Sequence, residues 1–194
     1  MRRNFSDGPE GDICPKNMYG PRLSTIEFPP LHLAAYNADL EALRQLLTAG
    51  ALPDLRDEKG YTPLLWASFR AAVADQVPVI QALVAAGADP NAITSAGDSS
   101  CLILAAQSGC VEAVAALVAC GANVNRSADG VTALMVAGRQ GEVEVVRLLL
   151  QLGANPGARA GRFTAADYAR QGGHDHLGDL LDQAATAGPF PTSA

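Results

Sequence analysis

The chain has 194 residues, 48% of them hydrophobic and 5% aromatic, with a net charge of −6. That is ample apolar material for one folded domain, while the acidic balance argues against general binding to nucleic-acid phosphates. No apolar stretch approaches 18 residues without polar interruption, so no transmembrane helix is predicted.

Residues 1–27 are rich in Gly, Pro and Asn and hold two arginines near the start, with no apolar run of the secretory type. From Pro29 an apolar, alanine-rich stretch reads as a helix, and "LRQLLTAG" reads as the end of a second. Gly50 stands where a chain leaves a helix through the left-handed region. "DEKG" follows as a turn with Gly60 free to take positive φ. In "YTPLLWA", Thr62 suits an N-cap and Pro63 the first helical position, where no amide needs a partner. The sequence of helix exit, polar turn and capped helix returns in "GADPNAITSAGDSSCLILAA" from Gly87, "GANVNRSADGVTALMVAG" from Gly121 and "GANPGARAGRFTAADYA" from Gly153. The apolar anchor of each first helix falls at Leu31, Leu64, Leu102, Leu134 and Ala166, spaced by 33, 38, 32 and 32 residues. A nearly constant period in this range predicts a stacked array. The second unit carries about five extra residues in "RAAVADQVPVI", predicted to lengthen its first helix or the loop before Pro78.

"PPLHLAA", "YTPLLWA" and "EVVRLLLQLGANP" resemble the signature of the ankyrin repeat. The resemblance implies an all-α solenoid of about five helix–turn–helix repeats with projecting fingers. The repeats are placed at residues 28–60, 61–97, 98–130, 131–161 and 162–183. Residues 1–27 are expected to run extended across the first repeat and shield its apolar end, and 184–194 to form a disordered tail. Pro29 stands in place of the usual Thr, Ser100-Cys101 replaces Thr-Pro, and Ala166 suits a terminal cap.

By the same resemblance, first helices and finger tips form a concave recognition surface for a protein partner. On the helices these positions are Tyr36, Phe69, Arg70, Gln107, Ser108, Arg139 and Gln140. On the fingers they are Arg56, Glu58, Lys59, Tyr61, Ile93, Ser95, Ser127, Asp129, Val131, Arg159 and Arg162. Trp66, the sole tryptophan, falls at a position that is usually buried. Between Arg70 and Arg126 there is no Lys or Arg, whereas Arg126, Arg139, Arg159, Arg162 and Arg170 follow in short order. On a binding face such a stripe suits an acidic patch on the partner; ordinary solvated arginine gives the same pattern.

No acid–base set, phosphate-cradling loop or metal spacing stands out. His32 falls on the signature histidine, for which the resemblance implies a bond between repeats. His174 falls at the start of a second helix, so catalysis by it with His176 is disfavoured. Cys14, Cys101, Cys110 and Cys120 form no Cys-x-x-Cys pair, which predicts a reduced, cytoplasmic protein without cofactor or metal. The expected function is that of a non-enzymatic, monomeric adaptor or scaffold, independent of nucleic acid and membranes. An immunity protein or inhibitor neutralising a cognate toxin is the alternative.

Overall fold

A computed structural model of the chain describes residues 29–72 and 75–187. Two rows of short helices alternate along it. The inner row holds α1 (Pro30–Tyr36), α3 (Pro63–Phe69), α5 (Cys101–Gln107), α7 (Ala133–Gln140) and α9 (Ala165–Gln171). The outer row holds α2 (Leu40–Thr48), α4 (Val77–Ala85), α6 (Val111–Ala119), α8 (Val143–Gln151) and α10 (Asp175–Ala187). Each inner helix packs on its own outer helix and on the next inner helix. Strands β1 (Ser127–Ala128) and β2 (Val131–Thr132) pair antiparallel in the fourth finger. The described residues form the all-α solenoid of about five helical hairpins that the resemblance implies.

The local chemistry recurs in every unit. Thr62, Ser100, Thr132 and Thr164 each accept a hydrogen bond from the amide three residues on. These caps satisfy amides that the first turn leaves open. Pro29 has no side-chain oxygen and makes no such bond. At the outer-helix exits the chain reverses through a left-handed glycine. Gly121 has φ +97°, and the following Ala122 N–H donates back to Leu117 O at 2.9 Å.

The core follows from stacking. Leu31, Leu64, Leu102, Leu134 and Ala166 are all buried, each between neighbouring hairpins. Small side chains on the inner row set the helix spacing. At Gly138 a β-carbon would lie 3.2 Å from Ala165 O and 3.4 Å from Leu181 Cδ1, so α9 approaches closely there. The matching residue of the fifth hairpin is Arg170, which turns to Asp179 and Asp182 of α10. These ion pairs within its own hairpin set it apart from the other arginines of the expected stripe.

A polar ladder ties the finger bases together. Asp54 accepts from Asp89 N at 3.1 Å. Asn91 accepts from Asn123 N at 2.7 Å and donates to Gly121 O at 3.2 Å. Asn125 repeats both bonds with Asn155 N and Gly153 O. His32, fully buried, adds a rung by donating from Nε2 to Tyr61 O at 3.1 Å.

Of the two places open to the extra residues of the second unit, the structure excludes the helix: α3 keeps the seven-residue length of α1, α5 and α9, so they fall between α3 and α4. Helix α10 runs to Ala187, past the expected boundary at 183. Helical packing of Ala184 against the last hairpin accounts for this, since that side chain is buried. Residues 1–28 and 188–194 lie outside the described residues.

Two outcomes test this account. Replacing Gly121 by Val should destabilise the fold by roughly 1–3 kcal/mol, read from thermal melts, because a β-branched residue resists positive φ. Burial lowers the His32 pKa from 6.5, against the opposing pull of the Asp57 carboxylate and the Tyr61 carbonyl. Above 6.5 both folded and unfolded chains hold this ring neutral; below it the unfolded chain takes up a proton that the folded one resists. The His32 contribution should therefore erode between about pH 7 and pH 5.5, and the melting temperature of His32→Gln should fall less over that window.

Candidate protein-binding groove

Inner helices and fingers face one concave side, and its two ends differ in chemistry. At the first end, Trp66 is buried at the centre of an aromatic cluster. Tyr61 stacks on it at 4.8 Å, and Tyr36 and Phe69 meet it edge-on at 5.7 and 5.9 Å. The indole N–H donates to Asp57 Oδ2 at 2.7 Å. Asp57 Oδ1 also accepts from Lys59 N and Tyr61 N, so one carboxylate fixes both the finger and the ring beneath it. Arg70 lies with its guanidinium 4.5 Å from the Tyr36 ring centre. The inserted turn is anchored here by Gln76, buried, which donates from Nε2 to Tyr36 O at 3.3 Å.

Towards the other end, a depression is lined from four repeats. Ile103, Val131, Val136 and Tyr168 give it an apolar lining, Tyr61 closes one side, and Arg139, Gln107, Gln140, Asp98 and Ser99 supply polar edges. Arg139 is half-buried. The next finger carries Arg159 and Arg162, both exposed, with Arg162 4.8 Å over the ring of Phe163. Finger tips Glu58, Lys59, Ser95, Ser127 and Asp129 are exposed. Asp129 (φ +48°) and Gly130 (φ +81°) form the two-residue hairpin turn that this pairing favours.

Some positions read as surface contacts serve as struts. Arg56 Nη1 donates to Gly60 O at 2.6 Å and Ile93 O at 2.8 Å, clamping the second finger to the third. Ser95 Oγ reaches the same Gly60 O at 3.4 Å. A β-carbon at Gly60 would overlap Ser95, so only glycine admits this approach. Arg126 lies beside the finger bases near Asp54 and Asp89, away from Arg139.

Val136 and Tyr168 escape the sequence reading. Both occupy the helix position of Trp66, which the repeat pattern assigns to the interior, yet both are half-buried and line the depression. A phenol at that position in Tyr168 is the signal available in the sequence.

Cys101 is buried and its thiol is pushed up to about 12 by desolvation, which leaves it unreactive. Cys110 is half-buried with its thiol also raised. Among the described residues no cluster of three His, Cys, Asp or Glu stands ready for a metal. The ring of His174 instead covers Gly141. No described helix is long and apolar enough to cross a membrane.

The family model for ankyrin repeats (3 copies) matches residues 17–94 and 68–160. The chain belongs to the ankyrin-repeat family. Its repeats are generic protein–protein interaction modules. Comparison with curated proteins returns no significant match.

If Asp57 organises the aromatic end, Asp57→Ala should cost about 2–4 kcal/mol of stability, because three donors lose a charged acceptor. The emission of Trp66 should shift in the same variant while still folded; unchanged emission and melting would refute that role.

Proposed function

We propose that this ankyrin-repeat protein is a non-enzymatic adaptor that holds a protein partner in its concave groove, as a cytoplasmic monomer without cofactor. The observation that carries the reading is the depression lined from four repeats, with an apolar lining from Val131, Val136 and Tyr168 beside the half-buried Arg139. Such a surface suits an apolar anchor residue flanked by a carboxylate: rings and aliphatic groups take the anchor, and the guanidinium forks onto the acid. The clamped fingers and stacked helices hold these groups in place before binding, so little side-chain entropy is lost on docking.

Recovery of partners on the full chain, followed by calorimetric titration, tests the reading. Arg139→Glu with Arg159→Glu should weaken binding by roughly 2–5 kcal/mol, with a modest change in melting temperature that comes from the half-buried Arg139, since the exposed Arg159 adds little to folding. Association should slow as salt rises, since steering by rim charges is screened. Unchanged affinity would move recognition to the Tyr36–Tyr61–Phe69 end.

A further inference from the structure

The array is finished unevenly. Of the four large apolar side chains exposed among the described residues, Leu33, Leu52 and Leu55 all belong to the first hairpin and the finger after it. Leu33 is 45% exposed and shares its helix position with Trp66, so it continues the aromatic strip along the groove. Beside that strip, Arg70 Nε is buried with no acceptor. An apolar strip with an unmatched buried N–H fits an extended peptide: side chains cover the strip, and a carbonyl or carboxylate meets the N–H.

This chain carries such a peptide at the right place. Twenty-eight residues precede Pro29, which opens directly into α1 of the inner row. The attachment point is therefore on the groove side, one short helix from Tyr36. The family match reaches back to residue 17, so the second half of the segment falls within the matched range. It contains Tyr19, Leu23, Ile26 and Phe28, with Glu27 among them. Reach is no obstacle, since 28 extended residues span up to about 90 Å and neighbouring helices stand about 10 Å apart.

We propose that residues 1–28 dock in cis over the aromatic end of the groove, covering Leu33 and Tyr36 and supplying the acceptor for Arg70 Nε. The Val131–Arg139–Tyr168 stretch then remains as the open part of the surface. The proposal stands whether or not a partner binds that stretch.

Cys14 lies within the segment and provides the probe. In the full chain with Cys110→Ala and Cys120→Ala, a nitroxide is attached at Cys14, while buried Cys101 stays unlabelled. Paramagnetic broadening is then read across the array. The expected result is strong loss of signal at the Leu33 methyls and the Trp66 indole N–H, with weaker loss at Leu40, Leu46 and Leu47 of α2. Tyr19→Ser, Ile26→Ser and Phe28→Ser together should restore most of the lost signal in a still folded array, with a modest fall in melting temperature because the docked segment stabilises the folded state. Broadening centred on α2 would mean that the segment covers the end of the array and not the groove. Broadening at Leu33 and Trp66 that survives the triple substitution would come from the tether alone. Either result overturns the proposal.

Discussion

A seven-residue helix paired with a nine-residue helix has too little surface to bury its own leucines. Each hairpin here depends on the next, and the dependence sets the composition. Leu64 and Leu102 fill the layers, while alanine and Gly138 keep the inner helices close enough to share them. Bulky aromatic rings are confined largely to the edges of this stack. Trp66 is the exception, and its burial requires a polar partner for the indole N–H, which Asp57 supplies from the finger above. The finger and the helix beneath it are thus fixed by one carboxylate.

The fold is legible because its signals are local and repeated. Caps at Thr62, Ser100, Thr132 and Thr164, and left-handed glycines at Gly87, Gly121 and Gly153, each declare a helix boundary on their own. Their common period does the rest. The insertion in the second unit was ambiguous because "RAAVADQVPVI" suits a longer helix as well as a turn; packing of Gln76 against the carbonyl of Tyr36 decides for the turn.

The groove is less legible because exposure depends on neighbours two repeats away. Arg56 reads as a free finger charge, yet both of its acceptors are backbone carbonyls, one in the next finger. Arg170 reads as part of a stripe, yet its side chain pairs with Asp179 and Asp182 of α10 in its own hairpin. Tyr168 reads as interior by its register, yet it is half-buried and lines the depression. Residue type and register place each of these side chains on the correct helix or finger. Only the stacked array decides which of them reaches solvent.

The connection from α3 to α4 sits at the end of its hairpin opposite the fingers, since α3 runs away from Thr62 and α4 returns towards the next finger. Its extra residues therefore change neither the rise from one repeat to the next nor the alignment of the finger ladder. Length is free to drift at that edge while the recognition side keeps its frame. For protein engineering, the same edge is the natural insertion point for a tag or a second domain, and Gln76 marks how far a graft can extend before it disturbs the first repeat.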